Sequence, residues 1–287
     1  MAISTKVSVE EENKFIELYE SGMSMDKVAE LSGRDRSTIR IHLNARGVRI
    51  RSNRENSRRH LVKCPHYFDI IDTEEKAYLL GYIYADGYIT QRNQSKHSDY
   101  INYQLGMSLQ EDDIEILEML RDALQTDYPI NHYEVKIGYK PGVKYVRLLI
   151  NSKDVVDGLR KHGVVFKKSE IIEEPKGIPE HLVRHFIRGY IDGDGSIIEQ
   201  NTKYGKSYTV SMVGTDSVLS YIADYFYDNG LIKYKTKHEK RHQHDIVSSC
   251  RWGGNNQAYK ILTHLYKDAK CFLNRKHERY IRLCEIM

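Results

Sequence analysis

Apolar positions recur at helical spacing through the first fifty residues. Phe15, Ile16, Leu18 and Tyr19 mark one face of a helix over 9–20, which Ser21-Gly22 ends. Val28, Ala29 and Leu31 supply the apolar face of a second helix. Gly33 can take the positive φ of a tight turn, and Arg36 to Leu43 restarts a helix with Ile39 and Leu43 inward. Ala29, Gly33 and Ile39 have the spacing of a helix-turn-helix. There a small residue lets two helices cross, a glycine turns the chain and a branched residue seats the second helix.

From residue 73 onward the pattern repeats. Leu79-Leu-Gly-Tyr-Ile-Tyr-Ala-Asp-Gly87 returns as Ile187-Arg-Gly-Tyr-Ile-Asp-Gly-Asp-Gly195, at an offset of 108 residues. The same offset relates Phe166-Lys-Lys-Ser-Glu170 to Asn274-Arg-Lys-His-Glu278. Between these anchors both copies alternate apolar and polar residues (103–109 and 208–213), then turn helical (112–124 and 216–227). Further strands (133–150 and 232–252) and another helix (154–162 and 256–267) follow. Each half reads as α, two strands, α, two strands, α, and two such halves suit a pseudo-twofold pair. The expected class is α+β, with a small all-α domain over 1–51, a basic linker over 52–72, and repeats over 73–176 and 177–287.

Charge adds a partner. The net charge is only +4, but residues 34–63 hold ten Lys/Arg against two acids. So one-sided a run tracks a polyanion better than a solvated face. Arg36, Ser37, Thr38, Arg40 and Ile41 would face a major groove, and residues 46–51, with Arg49 and Arg51, read as an arm along a minor groove or phosphates. The later strands are basic too, with Lys136, Lys144 and Arg147 in the first repeat and Lys233, Lys235 and Arg251 in the second. His238, His242 and His244 read as solvated DNA-facing positions rather than a zinc cluster. Trp252 reads as core.

Composition narrows the class. Hydrophobic residues make up 40% and charged residues 29%, enough apolar surface for a core. Four scattered cysteines without a CxxC pair argue against a disulfide scaffold and fit a reducing cytoplasm. No stretch suits a membrane span, and the N-terminus lacks a signal-peptide core.

The repeated motif carries the chemistry. Asp72 with Glu75 reads as a capping box for the first motif helix, and Pro179 as the first turn of the second. Gly87 and Gly195 read as left-handed helix ends. Gly81 and Ala85, like Gly189 and Gly193, form smooth stripes that let two helices meet backbone to backbone. Asp86 and Asp194 would then emerge together at two helix C-termini, where the macrodipole is already negative. A divalent cation would relieve that, and oxygen donors alone favour Mg²⁺. The carbonyls of Ala85 and Gly193, free at a helix end, could add ligands.

These residues resemble two families. Ser37-Thr38-Ile39 and its surroundings resemble the DNA-binding domains of resolvases and invertases. The duplicated motif over residues 73–287 resembles the single-chain LAGLIDADG homing endonucleases. That resemblance implies two four-stranded saddle sheets over DNA and metal-dependent hydrolysis of both strands across the minor groove, leaving short 3′ overhangs. It implies that Asp86 and Asp194 bind metal and water, and that Lys168 and Lys276, each 82 residues after its aspartate, are the basic active-site residues. Mg²⁺ is the expected cofactor, with Mn²⁺ as a substitute. The first aspartate of the motif survives as Asp192 but is Tyr84 in the first copy. Missing splice signals suit a free-standing protein. Expected, then, are a monomer on duplex DNA away from membranes, and a cytoplasmic, nucleoid-associated protein of prokaryotic, phage or mobile-element origin. The competing readings are a catalytically silent transcription regulator and an RNA-splicing maturase.

Overall fold

The computed structural model describes residues 7–51, 60–93, 101–135, 142–168, 171–236, 238–240 and 247–287. The chain divides into two compact units, Met1–Leu61 and Val62–Met287.

Among the described residues the first unit holds three short helices: α1 (Val9–Glu20), α2 (Met25–Ser32) and α3 (Arg36–Ala45). Ser8 and Glu11 close a reciprocal capping box on α1, and Ser24 caps α2. Phe15, Tyr19, Val28, Ala29, Ile39 and Leu43 form the core. Gly33 turns the chain at φ +66°. Leu31 is 50% exposed and does not join that core, contrary to the periodicity reading. The segment 46–51 is not a free arm. Arg46 Nε donates to Glu12 at 2.8 Å. Arg51 stacks over the Tyr19 ring at 4.1 Å and donates to the carbonyls of Gly22 and Tyr19. The carbonyls of Tyr19, Gly22 and Met23 and the face of the Tyr19 ring hold a guanidinium that the sequence left pointing outward.

The second unit begins earlier than the linker reading placed it. Phe68 and Ile71 are fully buried in its core, and Val62 forms a β-bridge with Thr126. Its first half runs α4 (Glu74–Asp86), β1 (Gly87–Asn93), β2 (Ile101–Gln110), α5 (Ile114–Ala123), β3 (Ile130–Glu134), β4 (Lys144–Asn151) and α6 (Lys153–Lys161). Its strands form an antiparallel sheet in the order β1-β2-β4-β3. The second half runs α7 (Glu180–Asp194), β5 (Gly195–Thr202), β6 (Gly205–Gly214), α8 (Asp216–Asp228), β7 (Ser248–Gly253), α9 (Asn255–Tyr266) and α10 (Asn274–Cys284). Among the described residues its sheet has three strands, β5-β6-β7. Among the described residues, the strand expected from Ile232 onward is represented by a single bridge, Glu239 to Ser249. α10 is an element the repeat pattern did not predict.

The halves meet through α4 and α7. A methyl group added to Gly81 would stand 2.0 Å from the Phe186 carbonyl oxygen, and one added to Gly189 would stand 2.0 Å from that of Tyr78. These two contacts exchange under the 108-residue offset, so the packing is pseudo-twofold. A methyl on Gly193 would meet the Ala85 methyl at 2.3 Å. Glycine costs a helix interior roughly 1 kcal/mol. Here it permits main-chain contact that no other residue allows.

Two local expectations are corrected. Gly87 and Gly195 are extended, at φ −76° and −87°, because each helix passes straight into a strand. Glycine is needed there for closeness: a methyl on Gly87 would lie 2.9 Å from the Ile83 carbonyl oxygen. The cap of α4 is Thr73, whose hydroxyl accepts from the Lys76 N–H at 3.3 Å. Asp72 instead pairs with the Lys76 ammonium at 2.8 Å. Pro179 does begin α7, at its cap position.

Candidate active site

α4 and α7 end at Asp86 and Asp194, side by side because the glycine stripes hold the helices in contact. Asp86 Oδ2 would lie 3.2 Å from a methyl on Gly193. Asp86 is half-buried, while Asp194 keeps an exposed edge even though the crowded helix ends exclude most of its water. Loss of water, then the neighbouring Asp194 charge, pushes the Asp86 carboxyl up to about 6. Burial raises Asp194 as well, against the pull of Lys168 and Lys276.

Both predicted lysines are at this site, and both are buried. Lys168 Nζ donates to the Tyr84 carbonyl at 2.6 Å and the Ala85 carbonyl at 2.5 Å. Lys276 Nζ donates to the carbonyls of Ile191 at 2.6 Å, Asp192 at 2.7 Å and Gly195 at 2.7 Å, with Gly193 at 3.4 Å. Each ammonium thus caps the negative end of a motif helix. This corrects the expectation that the Ala85 and Gly193 carbonyls are free, since each already accepts from a lysine. A carbonyl oxygen keeps a second lone pair, so further coordination is still open to both. Burial lowers both lysines, Lys276 to about 8.

The donor set fits a hard divalent cation. Two carboxylates held together at raised pKa carry excess negative charge, and the nearby main-chain atoms are oxygens. Among the described residues no group of three His, Cys, Asp or Glu side chains converges. A cation here would complete its shell with main-chain, water or substrate oxygens.

The sheet surfaces are less uniform than the sequence suggested. On the outer face Arg147 pairs with Ser108, and Arg251 with Ser211, on opposite sides of the equivalent Met107 and Met212. Arg147 lies over Tyr133 at 5.1 Å. Asn151 Oδ1 accepts from Gln104 Nε2 at 2.8 Å beside them. Lys144 has the opposite strand parity and lies 3.8 Å from Glu111 at the sheet end. Lys233 and Lys235 are not on a strand: Lys233 sits over Tyr234, and Lys235 pairs with Asp224 at 2.8 Å. Lys136, His242 and His244 lie outside the described residues. His238 meets Asp216 at 3.5 Å. Trp252 is core, its indole N–H donating to Thr236 at 2.7 Å. In the first unit Arg36, Ser37, Arg40 and Arg49 are exposed and Thr38 is half-buried. Arg36 lies 3.5 Å from Asp26.

Two buried clusters escaped sequence reading. Arg188, with no exposed surface, donates to Glu74 at 2.7 Å and to the carbonyls of Leu265 and Cys271, both at 2.7 Å. Asp192 accepts from two tyrosines and one main-chain N–H. The only signal for either was a charged residue on the apolar face of a helix.

No protein-family model matches the sequence, and no curated protein matches it. Solved structures do. The crystal structure of the LAGLIDADG homing endonuclease I-GzeII in complex with its DNA target aligns at a TM-score of 0.51 and 11% identity, over 73% of this chain and 88% of that one. The chain has the LAGLIDADG endonuclease fold. The meganuclease I-SmaMI bound to uncleaveable DNA aligns at a TM-score of 0.49 and 14% identity, over 75% of this chain and 90% of that one. I-SmaMI on uncleaved DNA in the presence of calcium ions aligns at 0.47 and 13%, over 75% and 90%.

Proposed function

We propose that this protein is a site-specific, divalent-metal-dependent endonuclease that cuts both strands of duplex DNA, in the manner of a homing endonuclease. The observation that carries this reading is the meeting of Asp86 and Asp194 at the ends of two glycine-packed helices, each carbonyl end capped by a buried lysine. Two acids held at a helix C-terminus destabilise the fold, which makes sense where a cation and a phosphate complete the charge balance.

Asp86 and Asp194, with the carbonyl oxygens of Ala85 and Gly193, would hold Mg²⁺ or, in its place, Mn²⁺. Bound there, the cation supplies Lewis-acid charge next to a scissile phosphate. Lys168 and Lys276 keep positive charge beside the acids and fix the helix ends that present them. Thr90, Gln104, Arg147, Asn151, Thr209 and Arg251 offer donors and acceptors suited to base edges in the major groove. The first unit would serve as a helix-turn-helix, with Arg36, Ser37, Thr38 and Arg40 toward a second stretch of groove and Arg49 on phosphate. The halves already supply both members of the pair, which suits a monomer and a cut that leaves short 3′ overhangs.

Incubation with a plasmid library of candidate sites, in Mg²⁺ or in EDTA, tests this. The library includes the uninterrupted form of the locus that flanks the gene. Metal-dependent ends at one sequence are expected. Tight binding at one site with uncut strands would replace the nuclease by a regulator.

A further inference from the structure

Asp192 occupies the place that Tyr84 fills in the first repeat. Its side chain is fully buried and accepts three hydrogen bonds. They come from the Tyr78 hydroxyl at 2.8 Å, the Tyr266 hydroxyl at 2.5 Å and the Leu273 main-chain N–H at 2.8 Å. Leu273 is the cap residue of α10, and its own side chain offers that helix no acceptor. The Asp192 carboxylate therefore caps α10 from the adjacent helix α7, an anion at the positive end of a helix. Lys276 lies one turn further on, its main-chain N–H bonded to the Leu273 carbonyl at 3.0 Å. Its ammonium returns to the Asp192 carbonyl at 2.7 Å. One residue thus grips α10 at its start with a side chain, and receives that helix's lysine on its main chain.

The first repeat is built otherwise. The Tyr84 hydroxyl donates to the His162 carbonyl at 2.7 Å, six positions before Lys168. Lys168 follows Lys167, whose φ is +56°, in a segment outside any α-helix. Among the described residues two carbonyls receive its ammonium, against four for Lys276.

We propose that Asp192 is a positioning residue for Lys276, so that the two halves of the active site are held to different tolerances, one lysine clamped on a capped helix and the other carried by a turn. The positional claim stands on these hydrogen bonds alone, and its consequence for strand cutting rests on the endonuclease reading above. Removing the carboxylate frees the start of α10 and lets Lys276 leave its carbonyls, while the Lys168 bonds to the Tyr84 and Ala85 carbonyls do not involve Asp192.

The test compares wild type, Asp192→Asn and Asp192→Ala, without metal or DNA, by amine-reactive labelling read residue by residue in a mass spectrometer. Lys276 should label roughly tenfold faster in Asp192→Ala than in wild type, with Asp192→Asn between them and Lys168 unchanged. If Asp192→Ala does not fold, Asp192→Asn keeps the shape and one acceptor and carries the comparison. Unchanged labelling of Lys276 in a folded variant overturns the proposal, as does equal acceleration of both lysines. On a site that wild type cuts, Asp192→Asn should slow one strand at least about fivefold more than the other, and equal slowing would remove the inequivalence. If wild type cuts no DNA, the endonuclease reading fails and the labelling still decides the role of Asp192.

Discussion

Gly81 lies so close to Phe186 that a methyl group on its Cα would stand 2.0 Å from the Phe186 carbonyl oxygen, and Gly189 stands in the same relation to Tyr78. No side chain is present to move aside, because the obstacle is main chain. Gly81→Ala and Gly189→Ala should each destabilise the protein by about 3 kcal/mol or more, despite the better helix propensity of alanine. Urea unfolding measures this. A loss below about 1 kcal/mol would mean that the helices part easily and that the aspartates are not held together by this contact.

The acidic pair should weaken the metal-free fold as pH rises. Asp86 titrates at about 6 in the folded protein against an ordinary 3.8, so the folded state holds its proton longer than the unfolded state. Stability contributed by that proton is complete below about pH 4 and is lost as pH climbs to about 6. Asp86→Asn should therefore be more stable than wild type at pH 8 in EDTA, by about 1–3 kcal/mol, with the difference vanishing near pH 4. Melting curves across that range would show it. A variant less stable at pH 8 would contradict the repulsion inferred here.

Arg188 is fully enclosed in the second unit, and Glu74 is the acid that balances it at 2.7 Å. Glu74 also accepts from the N–H groups of Lys270 and Cys271 at 2.6 and 3.1 Å. Glu74→Gln leaves the guanidinium buried without its counter-charge and should cost about 3 kcal/mol in denaturant unfolding. Simultaneous replacement with Arg188→Met should recover part of that loss, and failure to recover any would mean the pair is not what couples α4 to α7.

DNA binding should divide between the sheets. Arg147→Ala and Arg251→Ala are each expected to weaken binding to the cut site by about tenfold, with base preference relaxed at one position in opposite half-sites. Arg40→Ala with Arg49→Ala should weaken binding and flatten its salt dependence while the cut position stays fixed. Gel-shift titration over a salt series, with end mapping, separates the two effects. A moved cut site in the Arg40/Arg49 variant would refute the division.

The repeat was legible in the sequence because its signal is local. Gly81 with Ala85, and Gly189 with Gly193, mark a contact stripe within one turn of helix, and the offset repeats it. Asp86 and Asp194 followed from that register, Lys168 and Lys276 from the family resemblance, and the structure brings all four to the two helix ends. What could not be read is what long-range contact decides. Asp192 acquires its meaning from Tyr266 and Leu273, more than seventy positions away. Arg51 looked like an arm because its partners, Tyr19 and Gly22, precede it by about thirty residues. Gly87 was misread because closeness to Ile83, rather than a positive φ, demands glycine there. Lys235 looked strand-borne, but Asp224 draws it toward α8.

The central claim, that Asp86 and Asp194 form a DNA-cutting centre, is tested most directly by sequencing the ends left at the selected site. Wild type, Asp86→Asn, Asp194→Asn and the surface control Asp72→Asn would be run in Mg²⁺. The expected result is cutting by wild type and by Asp72→Asn, with cutting lost by about a thousandfold in either active-site variant while binding persists. Wild-type rates of cutting in Asp86→Asn and Asp194→Asn would contradict the account and move the chemistry elsewhere in the fold.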